Sequence, residues 1–322
     1  MRGPLSPRLA FLCLLTAVAL LLGLVAAGCG DEGDAAAGGA LDVVASATFL
    51  ADIAQNVAGD RFTVRAMVPP DADLHAYEPT PRDLADVAGA DLFLVNGAGL
   101  EGTLEDTVRA AAGDVSVVEA SAGLQSRVPR PGEPAQKTTD DGAEPETDPH
   151  FWLDPTLAEA YVATIRDAFS AADPEGAATY AANAERYVAE LEELDAWIRG
   201  QVETIPADER LLVVNHASHG YFADRYGFKV VGAVIPSVAT GATPTARQLA
   251  DLTQAIRETG AKAIFVEAEE NPQLAEQIAS ETGVTVVDDL LDHSLTGADG
   301  PAPTYIDMIR YDTRRIVEAL RP

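Results

Sequence analysis

Four histidines in this chain have the residue type and the spacing of a metal site assembled from distant segments. They are His75, His150, His216 and His293, four of the five histidines in 322 residues, and successive members lie 66 to 77 residues apart. Neutral imidazole is the commonest protein ligand for metals, and four such nitrogens suit zinc better than calcium or magnesium. Because an isolated histidine is more often an ordinary surface or hydrogen-bonded residue, the interpretation depends on the segments around these four.

Each histidine follows a predicted strand or precedes a predicted helix. The positions are His75 after a strand over 62–68, His150 before the N-cap pair Asp154-Pro155, His216 after a strand over 211–214 and His293 after a strand over 284–287. Open α/β sheets bind ligands beyond the carboxyl ends of their strands, so two such sheets facing each other would bring these histidines into one cleft. His219 can share a helix face with His216 and is an alternative ligand.

Strands and helices alternate along both halves of the chain at the spacing of parallel βα units. The predicted strands are 41–46, 62–68, 91–95, 211–214, 229–235, 263–267 and 284–287. The predicted helices are 49–58, 80–87, 217–226, 245–259, 271–283 and 305–320. We therefore predict an α/β fold with two parallel-sheet domains, over 41–172 and 206–322, and a mobile surface loop over 126–147 in the first.

One long helix is predicted between the halves, over 173–205. Its apolar residues recur at spacings of three and four, which forms a single stripe: Tyr180, Ala184, Tyr187, Leu191, Leu194, Ile198 and Val202. About 30 residues would give a rod of roughly 45 Å. A helix of that length is predicted to pack across both domains as a rigid backbone.

The N-terminus has the pattern of a lipoprotein signal over residues 1–29. Arg2 and Arg8 precede an apolar run over 9–25, and the run ends in Ala26-Ala-Gly-Cys29, which resembles a lipobox. A transmembrane helix is the competing interpretation, but the run falls short of about 20 apolar residues. Cys29 is thus the predicted lipid anchor, followed by a flexible tether over 30–40. Loss of Cys13 with the signal leaves no cysteine for a disulfide, a thiolate ligand or a nucleophile.

The charge balance argues against nucleic acid as a partner. The chain has 51 acidic and 22 basic residues, a formal net charge of −29, and 47% of its residues are hydrophobic. Phosphate binding requires clusters of lysine and arginine, which this sequence lacks. The composition is that of a globular protein with a good core, and self-repulsion at this charge favours a soluble monomer.

The segments around the histidines are similar to the substrate-binding receptors of bacterial zinc and manganese ABC importers. The similarity extends over roughly 41–320, and its most specific pieces are Asp73-Leu-His-Ala-Tyr-Glu-Pro-Thr-Pro81, Asn96-Gly-Ala-Gly-Leu-Glu101, Asp148-Pro-His-Phe-Trp-Leu-Asp-Pro155, Asn215-His-Ala-Ser-His-Gly-Tyr-Phe222 and Tyr305-Ile-Asp-Met308. The resemblance implies two α/β domains joined by one long helix, with the metal at the domain interface. It implies ligand roles for His75, His150 and His216, a partner ABC permease, and lipid anchoring on the outer face of the cytoplasmic membrane.

The sequence departs from the pattern of these receptors at two places. Their loop before the second ligand is often rich in histidine, whereas 126–147 contains none. Their fourth ligand is usually an aspartate, and the alignment puts His293 there, within Asp292-His-Ser-Leu295. A shift of one residue would make Asp292 the ligand instead. We favour His293 because it keeps the following Ser-Leu in register.

Carboxylates beside the histidines are expected to orient the imidazole rings. The candidates are Glu267, Glu269 and Glu270, at the end of the strand over 263–267, and Glu78 in the loop after His75. A solvated acidic loop is an equally valid interpretation of this cluster.

The function predicted from these features is high-affinity capture of a divalent metal, zinc before manganese, for delivery to an ABC permease. The alternatives are a manganese receptor of the same family, a zinc-dependent hydrolase and a surface adhesin. Catalytic zinc commonly keeps three protein ligands and an open position. Here four ligands are nominated, and the sequence has no His-Glu-x-x-His helix, serine nucleophile motif or phosphate loop. We therefore predict that the protein is not an enzyme.

Overall fold

The structure is a computed structural model that describes residues 40–70, 72–102, 107, 110, 113, 115–128, 133 and 147–322. The predicted signal peptide with Cys29, residues 30–39 of the tether and most of the loop 126–147 lie outside these residues. Within the described part of the chain, no helix combines the length and the apolar composition needed to cross a membrane.

Two parallel four-stranded sheets form the framework, one in each half of the chain. The first sheet has the order β2-β1-β3-β4, with β1 Val43–Ala45, β2 Val64–Ala66, β3 Leu92–Val95 and β4 Ser116–Glu119. The second has the order β6-β5-β7-β8, with β5 Leu211–His216, β6 Lys229–Ile235, β7 Ala263–Glu267 and β8 Thr285–Leu290. The central strands of both sheets are continuous apolar runs because helices cover parallel strands on both faces.

The α-helices of the described residues are α1 Thr48–Ala58, α2 Pro81–Ala88, α3 Pro155–Ala172, α4 Ala177–Val202, α5 Gly220–Tyr226, α6 Ala246–Thr259, α7 Gln273–Thr282 and α8 Tyr305–Leu320. Local sequence sets several of their ends. Thr80 and Asp83 form a reciprocal capping box at the start of α2, with proline at the first helical position. Gly260 ends α6 in the left-handed conformation, at a φ of 72° that disfavours residues with a Cβ.

Helix α4 is the predicted long helix, and it is somewhat shorter than expected. It has 26 residues, or about 39 Å, because residues Pro174–Gly176 form a separate 3-10 turn. All seven residues of the predicted stripe are buried. The helix packs against α1 and α3 of the first half and against α5 and α8 of the second. It therefore joins the two halves as predicted.

The main apolar core runs through both halves, and residues Ala40–Pro322 form one compact unit. A second, smaller core lies in the second half between its sheet and helices α6 and α7. The predicted class is thus confirmed: an α/β fold with two parallel sheets joined by a long helix.

Some element bounds differ from the predicted ones. Strand β5 extends to His216 and β8 to Leu290, so both histidine-bearing connections are shorter than expected. Helix α5 begins at Gly220 rather than at 217. The edge strand β4 was not predicted, because two of its four residues are exposed and two are partly buried, so its apolar signal is weak.

Candidate metal centre

The four predicted histidines meet in one cluster between the two sheets. Each of the six distances between their ring centroids lies between 4.9 and 5.6 Å. One ligand nitrogen from each ring can be chosen so that all four lie within 4.8 Å of one another. The Nε2 atoms of His150 and His216 are 3.3 Å apart. Two nitrogens bound tetrahedrally at about 2.05 Å from a zinc ion would be separated by about the same distance.

The cluster is largely closed to solvent. His150 and His216 are 0% exposed and His293 is 4% exposed, while His75 is partly exposed. The Nε2 atoms of His75 and His293 are buried and have no hydrogen-bond partner among the described residues. A buried polar atom without a partner carries a free-energy cost. Imidazole nitrogens in this state are ready to accept a metal ion.

Strand ends place the histidine of the second sheet and its carboxylate. His216 is the last residue of β5, and Glu267 is the last residue of the neighbouring strand β7. Carboxyl ends of adjacent parallel strands meet at one edge of a sheet, which is where such folds bind ligands. This explains why His216 Nδ1 lies 2.8 Å from Glu267 Oε1.

The two histidines of the first half lie in similar local turns. In each turn, an aspartate two residues before the histidine accepts a hydrogen bond from the histidine's backbone N–H group. Asp73 Oδ1 accepts a hydrogen bond from the backbone N–H of His75 at 2.8 Å. Asp148 Oδ1 accepts one from the backbone N–H of His150 at 3.1 Å. Short aspartate side chains favour this turn because they can reach the backbone two residues on. The repeated Asp-x-His pattern is a sequence signal that identifies both carboxylates.

The segment of His150 is also fastened from the first sheet. Asn96, directly after β3, donates from Nδ2 to the carbonyl oxygen of Pro149 at 3.1 Å. Buried Glu101 holds this turn by accepting hydrogen bonds from Ser46 Oγ and from the backbone N–H groups of Asn96 and Gly97. The segment Asn96 to Glu101 therefore helps to position the His150 segment.

Trp152 connects the His150 segment to the His293 segment. Its indole is fully buried and stacks on Phe49 at a centroid distance of 4.4 Å. Its Nε1 donates a hydrogen bond to the backbone carbonyl of Asp292 at 2.6 Å. The two ligand-bearing segments are thereby held together from opposite halves of the molecule.

Carboxylates lie behind three of the four imidazoles, on the Nδ1 side. His150 Nδ1 is hydrogen-bonded to Asp148 Oδ1 at 2.9 Å. His293 Nδ1 lies 2.9 Å from Asp292 Oδ1, the counterpart of the His216–Glu267 contact at 2.8 Å. In the His293–Asp292 and His216–Glu267 pairs, the atoms are close enough for a hydrogen bond, but their angle does not meet the criterion for one. Partners on Nδ1 leave Nε2 as the metal-binding nitrogen and make it more basic.

Two of these carboxyl groups have pKa values shifted in opposite directions. Burial raises the pKa of Asp148 to about 7. For Asp292, the cost of burial is outweighed by His293, which holds the pKa of that carboxyl well below its usual range. The negative charge of Asp292 therefore lies directly behind one imidazole, where it can offset the charge of a bound dication.

The four imidazoles divide into two electrostatic pairs. Burial, followed by the neighbouring His293 and His216, lowers the pKa of His75 to about 2. Burial and His216 likewise lower the pKa of His150 well below the usual value. Burial alone would lower the pKa values of His216 and His293. The negative charge of Glu267 beside His216, and that of Asp292 beside His293, outweighs burial and raises both pKa values. A proton held in the cluster is thus replaceable by a metal cation.

The geometry favours His293 over Asp292 as the fourth residue of the cluster. Asp292 lies behind the ring of His293, and its Oδ2 is 3.7 Å from His219 Nδ1. It belongs instead to a second grouping of possible ligand atoms with His216, Glu267 and His293. His219 is buried and lies outside the four-histidine group, with its Nδ1 2.8 Å from Ser218 Oγ.

Of the other acidic candidates, two lie beside the cluster and one does not. Glu269 Oε1 is 3.6 Å from His293 Nδ1. Glu270 is partly exposed, and burial, followed by the charges of Asp73 and Glu267, raises its pKa to about 7. Glu78 is exposed to solvent.

A family model matches residues 43–319 of the chain. Its description is "Zinc-uptake complex component A periplasmic". Among curated relatives, the chain is 35% identical over 305 residues to the manganese-binding lipoprotein MntA of Halalkalibacterium halodurans, with 94% of this chain and 97% of that one covered. It is 36% identical over 268 residues to the iron-binding protein YfeA of Yersinia pestis, with 83% and 82% covered.

Solved structures of metal-binding proteins have the same fold. The periplasmic zinc-binding protein TroA of Treponema pallidum superposes with a TM-score of 0.76 at 26% identity, covering 87% of this chain and 99% of that one. A manganese-bound periplasmic protein of Candidatus Liberibacter asiaticus gives 0.72 at 28% identity, covering 86% and 98%. The names of these similar proteins thus include zinc, manganese and iron.

Proposed function

The chain belongs to the family of periplasmic zinc-uptake complex component A proteins, and from this membership we propose how it handles its metal. The protein is a metal-binding receptor of an ABC importer and not an enzyme. We propose that its cargo is zinc, bound by His75, His150, His216 and His293 and delivered to a membrane permease.

The observation that carries the proposal is the convergence of four imidazoles from both halves on one buried point. Their ring centroids are separated by nearly equal distances, and the one measured Nε2–Nε2 separation, 3.3 Å, matches an edge of a tetrahedral zinc site. The unpartnered Nε2 atoms of His75 and His293 supply a reason for a ligand at that point.

Zinc is proposed over manganese because of the donor atoms. Manganese is a harder ion that favours carboxylate and water oxygen, whereas imidazole nitrogen suits zinc. The general order of affinities also ranks zinc above manganese at a nitrogen site. With His293 as the fourth donor, no ligand atom of the proposed set is an oxygen.

Manganese is the second candidate, and a specific observation supports it. The relative MntA of Halalkalibacterium halodurans, similar over nearly its whole length, is named for manganese. The second grouping of possible ligand atoms, which includes Glu267 and Asp292, would supply oxygen donors.

Metal analysis tests the choice directly. The purified chain is stripped with chelator, dialysed against equal concentrations of Zn²⁺ and Mn²⁺, and measured for bound metal. The proposal predicts one zinc per chain and tighter binding of zinc in competition titration. Equal occupancy by the two metals, or preferential binding of manganese, would reject zinc as the cargo and favour the manganese receptor.

The remaining parts of the proposal concern location and organisation. We propose that Cys29 is acylated after cleavage just before it, with removal of residues 1–28, and that the tether 30–40 holds a monomeric receptor on the outer face of the cytoplasmic membrane. The boundaries 41–172, 173–205 and 206–322 remain our proposed division into domain, helix and domain. Mass spectrometry of the native protein tests the anchor: an acylated N-terminal Cys29 is expected, and an intact Met1 would reject it.

A further inference from the structure

His75 differs from the other three members of the cluster in its surroundings. It is partly exposed, whereas His150, His216 and His293 are buried. It lies in the connection between β2 and α2. His75 is therefore the member of the cluster that solvent contacts.

The residue that orients His75 also reaches the other half of the molecule. Asp73 Oδ1 accepts the backbone N–H of His75 at 2.8 Å. Asp73 Oδ2 accepts a hydrogen bond from Thr240 Oγ1 at 2.7 Å. Thr240 lies in the loop that follows β6 of the second sheet and is partly exposed. One carboxylate thus connects a ligand-bearing loop of the first half to a loop of the second half.

The segment of His293 is attached to the other half by several hydrogen bonds, two of them buried and two partly buried. The Trp152 indole donates to the Asp292 carbonyl. The backbone N–H of Leu295 donates to Thr48 Oγ1 at 2.8 Å, and that of Tyr305 donates to Asp52 Oδ2 at 2.9 Å. The Tyr305 hydroxyl donates to the Trp152 carbonyl. Separating the halves here would break several hydrogen bonds and expose an aromatic stack.

The segment of His150 is attached in a similar way. The Tyr221 hydroxyl of α5 donates to the Asp148 carbonyl at 2.8 Å, and Arg127 Nε donates to Asp224 Oδ2 of the same helix at 2.9 Å. The Arg127 side chain also lies directly against Gly220, where a Cβ atom would come within 2.5 Å of it. At the contact between Asp73 and Thr240, both residues are partly exposed and one hydrogen bond joins them.

We propose that Asp73 and Thr240 form a latch that holds His75 on the bound metal and sets the rate at which the metal leaves. The inference rests on the proposed function, because it requires that His75 bind the metal. Thr240 acts through Asp73 and is a positioning residue. When the hydrogen bond between them is broken, the connection that carries His75 is released on its exposed side while the other attachments stay in place.

Metal release kinetics test the latch. Zn²⁺-loaded protein is mixed with excess fluorescent zinc chelator in a stopped-flow instrument. Thr240→Val removes the hydroxyl and keeps the shape, and it is expected to speed release about three- to tenfold, the factor that one hydrogen bond is typically worth. Thr240→Ser restores the hydroxyl and should release zinc at the wild-type rate. Thr243→Val is the matched control, since Thr243 is exposed in the same loop.

Two further measurements separate positioning from a general loss of structure. The melting temperature of the metal-free Thr240→Val protein should equal that of the metal-free wild type. In a double-mutant cycle, adding Thr240→Val to Asp73→Ala should have no further effect on release, because the threonine acts only through that carboxylate.

The failure of the latch is distinguishable from the failure of the proposed function. If the wild type binds zinc but Thr240→Val releases it at the wild-type rate, the latch is wrong and the receptor function stands. If Thr243→Val or Thr240→Ser speeds release as much as Thr240→Val, the hydroxyl contact is not the cause, and the latch is again overturned. A wild type that binds no metal overturns both.

Discussion

The Nε2 atoms of His150 and His216 lie 3.3 Å apart although 66 residues separate them in the chain. One belongs to the first half and the other ends the central strand of the second sheet. Two protonated imidazoles at this distance in a buried site would repel each other strongly. A divalent metal between them turns the close approach into a favourable interaction, and this account predicts how single substitutions change metal binding.

Removal of either imidazole is expected to remove high-affinity binding. His150→Ala and His216→Ala should each weaken zinc binding by on the order of 100-fold or more, since even a group that only supports a ligand contributes about 10- to 100-fold. Isothermal titration or chelator competition measures the change, and circular dichroism checks the fold. His219→Ala is the matched control, because His219 is equally buried and lies outside the cluster. A weak effect in either ligand variant would remove that residue from the site.

Glu267 is expected to act on the metal through His216. Its Oε1 lies 2.8 Å from His216 Nδ1. Glu267→Gln keeps the size of the side chain and removes the charge, so zinc affinity should fall about 10- to 100-fold while one zinc per chain is retained. Glu78→Gln, the same change at an exposed position, should leave affinity unchanged. Equal affinities of Glu267→Gln and wild type would show that the carboxylate does not support the ligand.

His293 is expected to set the preference for zinc. His293→Asp replaces a nitrogen donor with an oxygen donor, so the ratio of zinc to manganese affinity should fall, chiefly through a gain for manganese. Competition titration with both ions measures the ratio. The neighbouring substitution Asp292→Ala serves as the comparison: if it abolishes zinc binding while His293→Ala does not, Asp292 is the ligand and the argument for selectivity fails.

Asp52 is expected to make the stability of the metal-free protein depend on pH. Burial raises the pKa of this carboxyl from 3.8 to about 6, despite the hydrogen bond from Tyr305 N–H. Between these values the folded state keeps a proton that the unfolded state has released, so the free energy of unfolding falls as pH rises through the window. Above about pH 6 the carboxyl is ionised in both states, and the free energy of unfolding falls no further from this group.

Asp52→Asn should remove that loss and keep an acceptor for Tyr305. Relative to wild type, the variant should therefore gain about 1–2 kcal/mol between pH 4 and pH 7, a figure reduced for the partial exposure of the carboxylate. Urea unfolding in the presence of chelator measures it. Asp60→Asn, at an exposed position, should give no such gain. If the free energies of unfolding of Asp52→Asn and wild type changed with pH in parallel, the raised pKa of Asp52 would be contradicted.

Much of the fold could be predicted because its signals are local. Apolar runs bounded by turns mark the strands, and the stripe from Tyr180 to Val202 marks α4, with every member buried. Strand β4 was missed because a four-residue edge strand with two exposed and two partly buried residues has no comparable pattern. The start of α4 was placed too early because a proline opens a 3-10 turn as readily as an α-helix.

The site could be predicted in residue type but not in full arrangement. Histidines at strand ends are visible in a sequence, whereas the direction of adjacent side chains in a loop is not. The sequence alone therefore could not decide whether Asp292 or His293 is the fourth ligand. Only the backbone path from Leu290, and the indole hydrogen bond to the Asp292 carbonyl, place Asp292 behind the ring of His293. Asp148 was missed as a support for His150, although its spacing matches that of Asp73 and His75.

The identity of the four donors is tested most directly by X-ray absorption at the zinc edge of the stoichiometric zinc complex. The account predicts four nitrogen neighbours at about 2.0 Å, with the multiple-scattering pattern of four imidazoles and no oxygen neighbour. The spectrum of His293→Asp should show three imidazoles and one oxygen. A wild-type spectrum with three or fewer imidazoles and a carboxylate or water oxygen would contradict the four-histidine site.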